Sequence, residues 1–165
     1  MEIELGRAKR ARRAYAFDDI AVVPSRRTRN PEDVSTAWSI DAFGFGIPVL
    51  GAPMDSVMSP RTAIMLGQLG GLGVLDLEGL WTRYDDPEPL LAEIARMPEI
   101  DATRRMQQLY SEPIKPQLVR DRLAEIREGG VTVAGALTPQ RTQELYETVV
   151  PRMTNRSTPA ATTVS

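Results

Sequence analysis

The sequence lacks two residue types that carry much of enzyme chemistry. Its 165 residues contain no cysteine, which excludes disulfides, thiolate catalysis and cysteine-ligated zinc. They also contain no histidine, which removes the commonest general base and the commonest metal ligand. We therefore expect no metal site in this chain.

Long apolar runs and a strong excess of one charge are missing as well. No run approaches the roughly 18 apolar residues of a membrane helix. The charged segment 1–13 is not followed by the apolar segment that a secretory signal requires. The formal net charge is -2, which does not indicate a large nucleic-acid-binding surface. These absences predict a soluble, cytoplasmic protein that binds neither membranes nor nucleic acid.

Basic residues are concentrated near the N-terminus, in contrast to the rest of the chain. The segment 6–13, GRAKRARR, holds five of them, and Arg26, Arg27 and Arg29 add three. A basic cluster can bind phosphate, but most such clusters are solvated arms. We expect residues 1–14 to form a polar basic arm, and nucleic-acid binding is the least favoured hypothesis.

The order of the predicted elements indicates an α/β fold with a parallel sheet. Hydrophobic residues make up 42% of the chain, a composition typical of a globular domain. Consecutive apolar positions at 47–54 predict a strand buried on both faces. Ser59 predicts the start of a helix that ends at Gly70, and 72–77 predicts a second strand. Strand, helix and strand within about 30 residues form a βαβ unit.

Further elements flank this unit. Upstream, Ile20–Val23 predicts a short strand stopped by Pro24. The downstream predictions are helices over 85–97, 101–110 and 116–128, a third strand over 131–137, and a helix from Pro139 to about Val150. Residues 151–165 hold two prolines and many hydroxyl side chains without apolar periodicity, so we expect a disordered tail.

A cluster of glycines lies between the first predicted helix and the second strand, at Gly67, Gly70, Gly71 and Gly73. A dinucleotide-binding fingerprint must follow a strand and open a helix, so that the helix N-terminus meets the pyrophosphate. Here the glycines close a helix and open a strand. They therefore predict a helix C-terminus and tight packing rather than a phosphate site.

Polar side chains follow the predicted strands at their carboxyl ends. Asp55 and Ser56 follow the first strand, and Asp76 lies at the end of the second. In parallel sheets and barrels this edge is where ligands bind, but a loop turn with a capping group near the helix start at Ser59 has the same pattern. Both interpretations remain open for these residues. Met54 and Met58 are more typical of packing than of ligand contact.

Three blocks of the sequence resemble one known family, that of inosine-5′-monophosphate dehydrogenase and guanosine-monophosphate reductase. They are YAFDDIAVVPS at 15–25, DVSTAWSIDAFGFGIPVLGAPMDSV at 33–57 and AIMLGQLGGLGVLD at 63–76. IREGGVTVAGAL at 126–137 is similar to the family's third-strand region. The resemblance thus covers most of 15–150 in order.

The resemblance implies a fold and a substrate site. The family fold is a TIM (β/α)8 barrel, so 15–150 would be the N-terminal portion of such a barrel, incomplete because a whole one takes about 250 residues. Met54, Ala52 and Asp55 would then lie at the exit of the first barrel strand, where the family binds a purine nucleotide, IMP or GMP. Met54 matches the family methionine, whereas Ala52 stands where the family has a serine. The short gap between the second and third strands resembles members without a regulatory CBS domain pair.

The resemblance also implies a reaction whose catalytic residues lie outside the matched blocks. The family transfers hydride with NAD in purine nucleotide (GMP) biosynthesis and assembles as homo-oligomers. Its catalytic cysteine, phosphate grip and flap come later than the matched blocks. Since the chain has no cysteine, the covalent mechanism cannot run within it, and we name no catalytic residue.

Two functional hypotheses follow from this resemblance. The first is an IMP dehydrogenase-like oxidoreductase by family, truncated and catalytically incomplete, with the composition break at Pro151 suggesting a frameshift. Related sequence in another reading frame downstream would support that origin. The alternative is a non-catalytic partial barrel that pairs with itself or with a full-length relative, because an open barrel leaves strand edges uncovered.

Overall fold

The computed structural model describes residues 2–4, 10–12, 14–23 and 30–153. The chain forms two compact units, residues 1–35 and 36–165.

In the first unit, two short strands lie within the predicted basic arm. β1 (Glu2–Glu4) pairs antiparallel with β2 (Arg10–Arg12), and Ile3 lies opposite Ala11. Of the charged residues in the predicted arm, Glu2, Glu4, Arg10 and Arg12 are thus part of a short antiparallel ladder.

The strand predicted at Ile20–Val23 is wrong. A 3-10 turn occupies Phe17–Asp19, and the residues after it pair with no strand in the part of the chain that the structure describes. Asp19 closes this turn twice, since its N–H donates to the Ala16 carbonyl at 3.0 Å and its carboxylate accepts from the Ala16 N–H at 2.9 Å. A second 3-10 turn covers Pro31–Asp33.

The second unit opens with a β-hairpin that the sequence patterns did not reveal. β3 (Trp38–Ile40) pairs antiparallel with β4 (Phe43–Phe45), and the turn places Asp41 at φ 51°, a conformation that aspartate tolerates better than most residues. The Trp38 and Phe45 rings stack with centroids 4.9 Å apart.

A three-stranded parallel sheet follows, in the order β5–β6–β7. Its strands are β5 (Leu50–Gly51), β6 (Leu72–Asp76) and β7 (Ala134–Ala136). The predicted α/β class and the parallel βαβ unit are confirmed. The second strand matches its prediction closely, whereas the third is shorter than predicted.

The first strand differs most from its prediction. Only Leu50 and Gly51 form ladder pairs, because Pro48 and Pro53 on either side have no N–H to donate. The strand is also not buried on both faces: it lies at the edge of the described sheet, and Leu50 is 55% exposed.

Five α-helices accompany the sheet in the described part of the chain. They are α1 (Pro60–Gln68), α2 (Glu88–Ile94), α3 (Glu99–Tyr110), α4 (Pro116–Glu128) and α5 (Pro139–Met153). A capping box between Ser59 and Thr62 starts α1, and Gly70 at φ +90° ends it, as predicted. The predicted helix at 85–97 is shorter, and a 3-10 turn at Leu80–Thr82 precedes it.

The end of α5 corrects the predicted start of the tail. Residues 151–153 are helical, so Pro151 lies within the last turns of α5 rather than in a disordered segment. The remainder of the predicted tail, 154–165, lies outside the described residues.

The two faces of the sheet carry separate cores because side chains alternate along a strand. Leu75 and Leu77 are fully buried on the helix side, against residues of α1, α4 and α5. Leu72 and Val74 point to the other face, where they pack with Phe45 of the hairpin. The helices therefore cover one face, and β3 and β4 cover part of the other. No helix within the described ranges is long and apolar enough to cross a membrane.

Candidate functional site

The candidate site lies at the carboxyl ends of β5 and β6. A cavity of about 670 Å³ opens there. One wall is the loop 53–56 together with Asp76 and Leu80, and the other wall comes from α2 and α3, including Leu91 and Met106. The position predicted from the strand ends is therefore a real concavity, as expected for ligand sites of parallel sheets.

The predicted substrate-binding residues occupy different environments around this cavity. Met54 is 55% exposed and lines the cavity, so it is not a core methionine. Met58 is 3% exposed and packs in the helix-side core, which confirms its prediction as a packing residue. Ala52 is exposed, and its carbonyl accepts from the Met54 N–H at 2.8 Å. The role of Met54 and Ala52 in substrate binding stays a prediction.

Asp55 is buried and holds several segments together. One carboxylate oxygen, Oδ2, accepts from the Leu80 N–H at 2.9 Å and from the Tyr110 hydroxyl. The other oxygen, Oδ1, is buried and has no hydrogen-bond partner among the described residues. Asp55 is therefore not a cap of the helix that starts after Ser59, where Ser59 itself accepts from the Thr62 N–H; it accepts instead from the turn after β6.

Asp76 lies beside this carboxylate and is partly buried. Its Oδ1 accepts from the Glu78 N–H at 2.9 Å. Burial raises the pKa of Asp76 above its ordinary value, and the nearby Asp55 charge adds to that effect, while the Glu78 hydrogen bond partly opposes it. Two acidic groups at adjacent strand ends therefore concentrate negative charge at the cavity.

Tyr110, at the last residue of α3, was not predicted as a site residue. Its hydroxyl donates to Asp55, and burial together with this hydrogen bond raises its pKa. The Arg83 guanidinium lies 5.7 Å from the ring centroid. No local pattern signals this role, because Tyr110 and Asp55 are 55 positions apart and meet only in the tertiary fold.

The raised pKa of Asp76 gives a testable pH dependence. A carboxyl group whose pKa is higher in the folded state stabilises the fold in its protonated form, and that contribution is lost as pH rises through the folded pKa. Asp76→Asn keeps an oxygen that can accept from Glu78. At pH 7 we expect Asp76→Asn to have a higher melting temperature than the unmodified chain. At about pH 4 we expect the two melting temperatures to be the same.

The matched control for this variant is Asp86→Asn. Asp86 makes the same local bond, accepting from the Glu88 N–H at 3.2 Å, but it is exposed. Melting curves of both variants between pH 4 and 8 are the measurement. An equal gain in both variants would contradict the role of burial at Asp76.

The chain is similar to known proteins over most of its length. The model of the IMP dehydrogenase / GMP reductase domain matches residues 14–147. An uncharacterized oxidoreductase of Mycolicibacterium smegmatis is 47% identical over 153 residues, which are 90% of this chain and 41% of that protein. The inosine-5′-monophosphate dehydrogenase of Methanocaldococcus jannaschii is 38% identical over 65 residues, 39% of this chain and 13% of that protein.

A solved structure is similar over nearly the same extent. The crystal structure of an IMP dehydrogenase/GMP reductase-like protein from Corynebacterium glutamicum superposes with a TM-score of 0.76 at 39% sequence identity. The match covers 92% of this chain and 42% of that one. The chain thus spans about two fifths of the length of the relatives that it matches over most of its own length.

Proposed function

The chain belongs to the IMP dehydrogenase / GMP reductase family, and we propose that it forms the first βα units of a (β/α)8 barrel oxidoreductase that acts on a purine nucleotide, IMP or GMP. In this proposal the described residues supply one side of the nucleotide site. The whole reaction requires parts of the barrel that these 165 residues do not contain. A role in purine nucleotide biosynthesis and assembly as a homo-oligomer are further parts of the proposal.

The observation that carries the proposal is the exposed Met54 at the mouth of a cavity at the strand ends. A half-exposed methionine beside a cavity offers a polarizable, adaptable surface to a flat ring such as a purine. The preceding Ala52 is small, which leaves room for a ligand to approach the backbone. Loops at the carboxyl ends of barrel strands are where this fold places its ligands.

The family also implies a nicotinamide cofactor, NAD, but the glycine cluster at the end of α1 does not fit its pyrophosphate. The glycines that could have formed a phosphate-binding turn close α1 instead, with the Gly70 and Gly71 N–H groups donating to the carbonyls of Gly67 and Leu66. Those donors are therefore already used. No cysteine is present for a covalent intermediate. We assign this chain a part in nucleotide binding and derive no chemical step from it.

Nucleotide titration of the full chain tests this function. We expect isothermal titration calorimetry to show binding of IMP and GMP, and binding of CMP weaker by about tenfold, because a pyrimidine covers less of the apolar wall. Met54→Ala should weaken the binding of the purine nucleotides by about tenfold, which corresponds to ~1.4 kcal/mol of lost apolar contact.

The control variant is Met65→Ala. Met65 lies on α1, is 52% exposed and does not line the cavity, so its truncation removes a comparable exposed side chain elsewhere. We expect its nucleotide affinity to match that of the unmodified chain. Failure of the unmodified chain to bind any purine nucleotide, or an equal loss in both variants, would contradict the proposed function.

A further inference from the structure

We propose that Tyr110 is a positioning residue, which clamps the Asp55 carboxylate and thereby fixes the loop 53–56 that carries Met54. Through this clamp, the helical segment α2–α3 controls the geometry of the nucleotide site. The expected effect on nucleotide binding rests on the proposed function. The clamp itself rests only on the contacts of Tyr110 and Asp55 in the structure.

The first step is that Asp55 joins three segments that are distant along the chain. Its backbone belongs to the loop after β5, its Oδ2 accepts from Leu80 after β6, and the same oxygen accepts from Tyr110 on α3. The residue is 9% exposed, so water competes little for these bonds. Removing one donor therefore loosens the contact of a whole segment.

The second step is that the carboxylate has little freedom to turn. A Cβ atom built on Gly79 would lie 2.2 Å from Asp55 Oδ1 and 2.8 Å from its Cγ. The absence of a side chain at Gly79 is thus what leaves space for the carboxylate. Packed against this backbone, Asp55 presents Oδ2 in one direction, toward its two donors.

The third step is that the end of α3, which carries Tyr110, is held in place by other contacts. Its neighbour Leu109 is 4% exposed, and the Leu109 carbonyl accepts from the Tyr84 hydroxyl at 3.1 Å. Just beyond α3, the Lys115 N–H donates to the Thr82 carbonyl at 2.8 Å. The end of α3 is therefore tied to the segment after β6 independently of Tyr110.

The fourth step connects the clamp to Met54. The Met54 carbonyl accepts from the N–H groups of Val57 and Met58, at 2.9 and 2.8 Å, which makes 54–58 a tight turn around Asp55. Met58 anchors one end of this turn in the core. With Asp55 held by Tyr110, the exposed Met54 side chain keeps its place at the cavity. Without that bond, the turn keeps the buried Met58, the Leu80 bond and the bond from Thr62 to the Val57 carbonyl, but it loses its tie to α3.

The protonation state of the clamp suits this role. Burial and the bond to Asp55 raise the pKa of Tyr110, so its hydroxyl remains a proton donor well above neutral pH. A neutral donor beside Asp55 also avoids adding a charge next to Asp76.

The experiment compares Tyr110→Phe with Tyr146→Phe in the full chain. Each variant removes one phenolic hydroxyl, but Tyr110 donates to Asp55, whereas Tyr146 is 57% exposed on α5 and takes part in none of the contacts described above. Hydrogen exchange followed by mass spectrometry measures the protection of the peptide covering 52–58. We expect Tyr110→Phe to accelerate exchange there by about tenfold and Tyr146→Phe to leave it within about twofold.

Calorimetric titration with IMP gives the second readout. We expect Tyr110→Phe to weaken IMP binding by about fivefold to tenfold and Tyr146→Phe to leave it unchanged. Equal exchange rates in the two variants, or IMP affinity unchanged in Tyr110→Phe, would overturn the clamp as a positioning device. If the unmodified chain binds no IMP, the proposed function fails, and the exchange data alone decide whether the clamp exists.

Discussion

Leu123→Ala is expected to lower the free energy of unfolding by about 3 kcal/mol. Leu123 is fully buried in α4, the helix that packs against α1, α5 and the turn at 80–82. Truncation removes the transfer free energy of the side chain and leaves a cavity that helices on several sides cannot all move to fill. Because domains of this size are stable by only about 5–15 kcal/mol, the loss is a large fraction of the total.

Urea unfolding followed by far-UV circular dichroism measures this effect. Leu69→Ala is the matched control, since Leu69 is 71% exposed just after α1 and the chemical change is identical. We expect the control to stay within about 0.5 kcal/mol of the unmodified chain. Similar losses in both variants would show that α4 does not form the centre of the core.

The success of the sequence patterns at α4 has a physical reason. Leu118, Leu123 and Ile126 recur at helical spacing on one face, and the structure buries all three. The predicted bounds, 116–128, are those observed, because Pro116 suits a first helical turn and Gly129 follows the last residue. Local signals and tertiary packing agree here, which is the condition under which sequence-based prediction works.

The first strand shows where such patterns fail. Consecutive apolar residues at 47–54 predicted burial on both faces, yet Val49 and Leu50 are about half exposed at the edge of the described sheet. The run specifies an apolar strand but not how many neighbours cover it. Similarly, the hairpin of β3 and β4 was missed because three-residue strands are too short to show periodicity.

The residues of the candidate site also differ in whether local sequence could predict them. Asp55 and Asp76 could be placed at this edge from the sequence because one follows a predicted strand and the other lies at the end of the next, and parallel strands bring their carboxyl ends to one edge. Tyr110, Gly79 and Leu80 were not found, since their part depends on where α3 and the turn after β6 pack. The sequence therefore predicts the place of the cavity, whereas the contacts that shape it require the structure.

Gly73→Ala is expected to destabilise the chain by about 1–3 kcal/mol and also to weaken nucleotide binding. A Cβ atom on Gly73 would lie 2.6 Å from the Ala63 Cα atom and 2.8 Å from its Cβ. These are atoms of the helix α1 itself, so a rotamer change cannot relieve the collision and α1 must move away from β6.

The displacement of α1 would reach the site because α1 begins at Pro60, with only Ser59 between it and the turn 54–58. Urea unfolding and IMP titration of the same variant measure the two effects together. Gly44→Ala is the control: apart from its two chain neighbours, no atom of the described residues lies within 4 Å of its added methyl group, so both stability and affinity should be nearly unchanged. Loss of stability with full IMP affinity would mean that the loop holds its place independently of α1, which would leave Asp55 and its clamp as the main support of Met54.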